Sequence, residues 1–428
     1  MKKVLVITYY WPPSGGAGVQ RWLKFVKYLR EFGWEPIVYT PENPEAPATD
    51  VSLFKDIPKD IQVIKQPIWE PYNLYKRFIG QKKGDKINAG FLSEKKKPGL
   101  AEKVSVWIRG NWFIPDARKF WIEPSVKYLT KFLKANKVDA MVSTGPPHSM
   151  HLIALHLKKT LNIPWLADFR DPWTNIDFYD KLKLSNASDK KHRTLELSVL
   201  KAADKVVTVS WNWAQDFKKI LNRDIEVITN GFDEADFSQQ PVVLDKKFSI
   251  AHIGAMNNDR NPHQFWKAVK ELINENVGFK KDLTIRLIGK NDISVIQSIE
   301  ANGLKEFTET TPYLPHGEVL KRICSSQVLL LPLNDTPNTL GIIPGKIFEY
   351  LAAKRPIFAI GNVQGDTARI IQETNSGVIC DFGDKIQMKK EILSLYEKYK
   401  NNDLRIDSIS IENYSRRMKT GEMSNLLN

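Results

Sequence analysis

Short apolar runs rich in β-branched residues alternate along the chain with stretches whose apolar positions repeat at helical spacing. The runs fall at 4–8, 36–40, 61–65, 140–143, 165–168, 206–210 and 226–229, and resume at 249–253, 284–288, 306–310, 328–331, 357–360 and 378–380. Continuous apolar strands between helices predict parallel sheets covered on both faces. The series breaks at Asn230-Gly231-Phe232-Asp233 and a polar stretch reaching Lys247. The predicted fold is therefore α/β, with two doubly wound, Rossmann-like domains facing a cleft: 1–240 and 241–405. Residues 406–428 are expected to form a C-terminal helix packing back on the first domain. Ligands of such sheets bind at the carboxyl ends of the strands, and a cleft between two halves is the natural place for a site.

The loop after the first strand carries the first candidate chemistry. Trp11-Pro12-Pro13-Ser14-Gly15-Gly16-Ala17-Gly18 precedes a helix with Val19, Trp22, Leu23, Val26 and Leu29 on one face. Strand, glycine turn and helix bring free backbone N–H groups to one spot, where a phosphate or sugar oxygen binds readily. The loop departs from the dinucleotide fingerprint: Arg21 occupies the place of the third glycine, and the second strand ends without an acidic residue. It suggests an anionic ligand and argues against NAD. A tight turn without a ligand is the alternative.

Length and charge narrow the partners. The 428 residues exceed one ordinary core. The net charge of +14 favours nucleotide, anionic lipid or nucleic acid. The two cysteines, Cys324 and Cys380, and the seven histidines show no metal spacing, which suits a reducing compartment and no structural zinc. No apolar run is long enough to span a membrane, and the N-terminal run is too short for a signal peptide. The expected location is cytoplasmic.

Residues 69–125 interrupt the alternation and read as an insertion. Trp69, Tyr72, Tyr75, Phe78, Phe91, Trp107, Trp112, Phe113 and Trp121 mix there with Lys76, Arg77, Lys82, Lys83, Lys95, Lys96, Lys97, Lys103 and Arg109. Basic charge with interfacial aromatics is the composition of a segment on an anionic membrane surface. A solvated insertion packing on its own domain is the other reading. No nucleic-acid motif accompanies the charge, and no nucleic-acid partner is expected.

The second half contains Leu340-Gly341-Ile342-Ile343-Pro344-Gly345-Lys346-Ile347-Phe348-Glu349-Tyr350-Leu351-Ala352. A loop here leads into a short helix on which Lys346 and Glu349 share a face. Lysine can neutralise a phosphate, and a carboxylate can accept two hydrogen bonds from a ribose diol. A helical ion pair is the structural alternative.

Taken in order, these landmarks resemble the two-domain GT-B glycosyltransferases, in particular glycosyltransferase family 4 of the bacterial envelope polysaccharide type. The landmarks are Gly15-Gly16; Gly145-Pro146-Pro147-His148-Ser149; Asp168-Phe169-Arg170-Asp171-Pro172-Trp173; Asn230-Gly231-Phe232-Asp233; His252-Ile253-Gly254 with Arg260; and Glu349-Tyr350-Leu351-Ala352. The resemblance implies a retaining, metal-independent transfer from a nucleotide-diphosphate sugar, of UDP or GDP type, to a saccharide or polyprenyl-linked acceptor. With a polyprenyl-linked acceptor, the basic aromatic insertion would bring this cytoplasmic protein to the inner face of the cell membrane as a peripheral enzyme. By the same analogy Arg260 contacts the diphosphate, Lys346 supports it, and Glu349 binds the ribose. Gly15, Gly16, Gly254 and Gly345 let backbone approach the donor. Tyr313-Leu314 runs where the base binds. His148, with Asp168, Arg170 and Asp171 at the next strand end, is expected to hold the acceptor; His151 and His156 read as packing or surface residues. Two departures stand out. Gly341 replaces the first glutamate of the family's E-x7-E motif, and no lysine follows Arg260 in Arg260-Asn261-Pro262-His263. Without a carboxylate at 341, a front-face transfer is favoured over double displacement. A nucleotide-sugar epimerase of the same fold and a non-catalytic nucleotide-sugar-binding scaffold remain the alternatives.

Overall fold

Every predicted strand forms. The computed structural model describes residues 1–46, 48–70, 100–176, 179–237 and 243–428. Two compact units divide the chain: Met1–Thr229 with Lys419–Asn428, and Asn230–Met418. The division thus falls before the boundary expected near residue 240.

The first unit is built on a parallel sheet of seven strands: β1 (Lys2–Ile7), β2 (Trp34–Pro41), β3 (Gln62–Gln66), β4 (Ala140–Gly145), β5 (Trp165–Phe169), β6 (Lys205–Thr208) and β7 (Glu226–Val227). Their order is β3-β2-β1-β4-β5-β6-β7. Its helices are α1 (Ala17–Tyr28), α2 (Leu100–Trp112), α3 (Ile122–Ala135), α4 (Ser149–Leu161), α5 (Asn186–Ala202) and α6 (Trp211–Ile220). Strand β4 is buried along its whole length and β1 from Val4 to Ile7, as a sheet covered on both faces requires. The direction of winding reverses between β1 and β4, so the loops after these two strands diverge and leave room for a ligand.

Helix α1 shows how the sequence builds this end. Gly16 precedes it with φ 95°, in the left-handed region open mainly to glycine. Val19, Trp22, Leu23 and Val26 then form a fully buried stripe. The chain leaves through a 3₁₀ turn, Leu29–Phe32, and stops at Gly33 with φ 81°.

The second unit carries β8 (Phe248–Ile253), β9 (Leu283–Ile288), β10 (Thr308–Thr311), β11 (Val328–Pro332), β12 (Ile357–Ile360) and β13 (Gly377–Cys380). All pair in parallel in the order β10-β9-β8-β11-β12-β13. Its helices are α7 (His263–Glu275), α8 (Val277–Asp282), α9 (Ile293–Ala301), α10 (His316–Ser325), α11 (Lys346–Ala353), α12 (Asp366–Glu373) and α13 (Lys385–Lys400). Strand β10 starts later than the run at 306–310 because Lys305–Phe307 turns as a 3₁₀ helix. The reversal of winding falls between β8 and β11.

The last helix, α14 (Arg416–Leu427), begins in the second unit. Met423 and Leu427 join the core of the first unit beside Trp22 and Val26.

The predicted insertion at 69–125 needs correction in its described part. Ile114, Ala117 and Trp121 are core residues, and α3 packs on α4. The stretch from Ile114 onward is therefore integral to the first unit. Residues 71–99, with Tyr72, Tyr75, Lys76, Arg77, Phe78, Lys82, Lys83, Phe91, Lys95, Lys96 and Lys97, lie outside the described residues.

Candidate functional site

In the second unit the loop after β8 and the helix after β11 bring Gly254, Arg260, Lys346 and Glu349 into one electrostatic neighbourhood. Gly254 has φ 118°, and a Cβ there would lie 2.2 Å from Lys346 Cε. The glycine is required because the lysine stem occupies the space of its missing side chain. Arg260 Nε donates to Asn334 Oδ1 at 3.0 Å and its Nη1 to the Ala255 carbonyl at 3.2 Å. One guanidinium thus bridges the loops after β8 and β11, on either side of the switch point.

The charges here are poised for an anion. Burial, reinforced by Arg260, pushes the Lys346 ammonium down to about 7, with Glu349 acting the other way. Burial also raises the Glu349 carboxyl, opposed by His316, Lys346 and Arg416. Lys346 and Glu349 act on each other through space without a hydrogen bond, so the helical ion pair is not what they form. Beneath them lie two neutral groups. Tyr350 Oη accepts from Ile253 N–H at 3.2 Å, and burial, with Lys346 next, holds His252 well below the ordinary imidazole range. A guanidinium beside an amine that a nearby anion would protonate is a pair chemically suited to a diphosphate.

Gly345 precedes α11, with open space where a Cβ would project. Gly341 ends a 3₁₀ turn, Thr339–Gly341, and is buried. Tyr313 is 81% exposed and Leu314 half-buried in the turn before α10. His316, which the sequence analysis missed, follows on α10 and contacts Asp236 at 3.6 Å. Its connection to Glu349 spans many residues and leaves no local signal.

In the first unit a cavity of about 340 Å³ opens where the loops after β1 and β4 part. Tyr10, Pro146, Pro147 and His148 line it, as do Arg109, Phe113, Asp116, Arg118, Asp171, Trp173, Tyr179 and His192. His148 precedes α4 without capping it. Asp116 does so instead, accepting from Ser149 N–H at 2.9 Å and Ser149 Oγ at 2.8 Å. The His148 ring stacks on Trp173 at 4.5 Å and 2°, and Trp173 Nε1 donates to His192 Nδ1 at 3.0 Å. Burial, with His151, His192 and Arg170 adding to it, pushes His148 well below the ordinary imidazole range and so favours its neutral form.

The other predicted acceptor residues divide. Asp171 lines the cavity. Arg170 does not; its guanidinium donates to the Gly18 and Pro146 carbonyls, both at 2.8 Å, and braces the two loops. Asp168 is a correction: it is wholly buried and cannot reach a ligand. Its carboxylate accepts from Arg21 Nε and Nη2, Trp22 Nε1 and Thr144 Oγ1. Arg21 also donates to the Thr229 carbonyl. The pair joins α1 to the ends of β4 and β5. In the glycine loop, Gly15 N–H donates to the Ala48 carbonyl at 2.8 Å, so that donor is already engaged. His151, read as packing, is buried and shares a hydrogen bond with Ser143 Oγ at 2.8 Å. Arg109, Asp116 and His192 were missed as cavity residues, since helical position alone does not reveal what a side chain faces.

Two family models match the chain: "Glycosyltransferase Family 4" over residues 90–236 and "Glycosyl transferases group 1" over 247–398. Together they account for more than half of it. The chain belongs to the family 4 type of glycosyltransferases. Solved structures share the GT-B fold of this glycosyltransferase. HepE of Anabaena, in complex with UDP and glucose, is 12% identical with a TM-score of 0.60, covering 100% of this chain and 99% of its own. A TarM variant of S. aureus, in complex with UDP and sugar ligands, is 11% identical with a TM-score of 0.59 and full coverage of both. WaaG, a glycosyltransferase of lipopolysaccharide biosynthesis, is 11% identical with a TM-score of 0.53, over 98% of this chain and 94% of its own. No curated protein sequence matches the chain. No described helix of the glycosyltransferase is long and apolar enough to cross a membrane.

Proposed function

We propose that the protein transfers a sugar from a nucleotide-diphosphate sugar to a saccharide or lipid-linked acceptor in the synthesis of a bacterial surface polysaccharide. The carrying observation is the convergence of Arg260, Lys346, Gly254 and Glu349 at the switch point of the second sheet. Arg260 and Lys346 take the donor diphosphate and stabilise the charge it gains as the glycosidic bond breaks. Glu349 accepts the ribose hydroxyls. The UDP and UDP-glucose bound to HepE support a donor of that type. The first unit's cavity, with His148 and Asp171 on its wall, receives the acceptor. Transfer proceeds with retention by front-face attack, since Gly341 offers no carboxylate to form a covalent intermediate. The two cations carry the leaving-group charge in place of a metal ion.

Thermal stabilisation by UDP-, GDP- and CMP-sugars tests the donor site. One nucleotide class at about 100 times its dissociation constant should add about 2.7 kcal/mol, and Glu349→Ala should abolish the shift. No shift with any donor would sink the donor assignment. With a turnover substrate in hand, proton NMR in excess EDTA reads both remaining points. A product of inverted anomeric configuration, or a reaction stopped by EDTA, would reject retention or metal independence respectively.

An anionic membrane surface is part of the same reading. Trp69 packs edge-on against Phe120 at 4.9 Å, with Lys119 over Phe120 and Phe113, and Trp69 and Trp112 are 61% and 67% exposed. Large exposed rings beside a cation suit the headgroup layer. The full chain should float with liposomes containing phosphatidylglycerol, and Trp69→Glu/Trp112→Glu should lower the bound fraction at least fivefold. Equal flotation of both proteins would remove these residues from the contact.

A further inference from the structure

We infer that the cavity of the first unit holds a sugar ring bearing a negatively charged group, and that Arg109 selects it. The inference rests on the acceptor reading above and names the chemistry of that acceptor. At about 340 Å³ the cavity lies at the low end of ligand pockets, room for one or two rings. Tyr10, Phe113, Trp173 and Tyr179 give it flat apolar walls that suit the C–H face of a pyranose.

The charged groups on those walls differ in what they have left to offer. Arg118 is held by Glu70 Oε1 at 3.0 Å and lies over the Tyr9 ring. Asp116 is engaged by Ser149 and by Arg118 N–H. Asp171 faces Arg170 at 3.7 Å, and Glu45 also interacts within the fold. Arg109, half-buried in the last turn of α2, has no hydrogen bond or ion pair among the described residues. A partly desolvated guanidinium with no ion pair among the described residues is matched by a carboxylate or phosphate, which it can bind through two parallel N–H groups. His148 adds a neutral polar edge. Its Nδ1 is enclosed against Gly145 without a partner, so Nε2 is the nitrogen left for a ligand hydroxyl.

A uronic acid and a glycosyl phosphate share this chemistry, and calorimetry on the full chain separates them. The probes are a glucuronyl disaccharide, glucose 1-phosphate and the neutral disaccharide maltose, with UDP as the control. One anionic probe should bind at least tenfold more tightly than maltose, and which one does so identifies the anion. Arg109→Gln should erase that preference, Arg109→Lys should keep part of it, and neither should alter UDP binding. Equal affinity for charged and neutral sugars, no binding of either anionic probe, or a preference that survives Arg109→Gln overturns the inference. Loss of UDP binding in the unaltered protein, with the preference intact, strikes the donor assignment and leaves Arg109 its role.

Discussion

Replacing Lys346 by methionine is expected to lower kcat/KM about 10²- to 10³-fold, the usual loss when one preorganised charge contact to a transition state is removed. The same variant should melt no lower than the unaltered protein. Methionine keeps the stem that fills the space beside Gly254, whereas the ammonium it removes is costly to bury. Before a donor arrives, burial and Arg260 make the charged form of Lys346 unfavourable, at about 7. The unfolded lysine titrates near 10.4, so between these values the unfolded chain binds the extra proton. Stability of the ligand-free protein should therefore rise with pH from about 7 towards 10, and Lys346→Met should flatten that contribution. A diphosphate reverses the situation by stabilising the ammonium. Donor binding near pH 8 should take up a proton, visible as a dependence of calorimetric enthalpy on buffer ionisation heat. Near-normal turnover by Lys346→Met, or donor binding without proton uptake in both proteins, would remove Lys346 from the diphosphate.

The largest loss of stability is expected from Arg21→Met. Arg21 and Asp168 are wholly buried and paired at 2.9 Å. Burial by itself would raise the Asp168 carboxyl; the Arg21 charge and hydrogen bonds, with those of Trp22 and Thr144, override it and hold the group below its ordinary range. Removing the arginine leaves a buried carboxylate uncompensated, at a cost of about 3–5 kcal/mol. Replacing both partners by apolar residues should cost less than the single change, because no bare charge is left. The stability from Asp168 is present above the unfolded value near 3.9 and is lost as pH falls through its lower folded value. In Arg21→Met the same carboxyl can take up a proton, so the gap between the two proteins should narrow towards pH 4. Urea unfolding at pH 7 and pH 4 measures both effects. A single variant as stable as the unaltered protein would show that water reaches Asp168, which would return it to the acceptor candidates.

These two lysine and aspartate positions mark where local reading of the sequence succeeds and where it fails. Lys346 and Glu349 are three residues apart on one short helix, so period alone puts them on a shared face. Asp168 stands at a strand end, as ligand-binding carboxylates do in such sheets, yet its lobe of charge is filled by Arg21, 147 positions earlier. Nothing near Asp168 in the sequence announces that partner. Arg109 is the opposite case. It was one of many basic residues in an aromatic stretch, and only the folded surroundings place it on a cavity wall with no ion pair among the described residues.

Strand positions, parallel pairing and the two-unit division follow from hydrophobic period and from the break near residue 230, because burial on both faces of a sheet demands apolar runs of that length. The glycines at 16 and 254 are equally legible as places where the backbone needs freedom. What only the tertiary structure decided is which charges are spent and which are left over. Asp168, Arg170 and Asp116 are consumed in holding loops and helix ends, while Arg260 lies close enough to Lys346 to disfavour its charged form. Hydrophobic period is a local property of the chain. Charge pairing depends on distances between segments remote in sequence, and on the dielectric that packing creates around them.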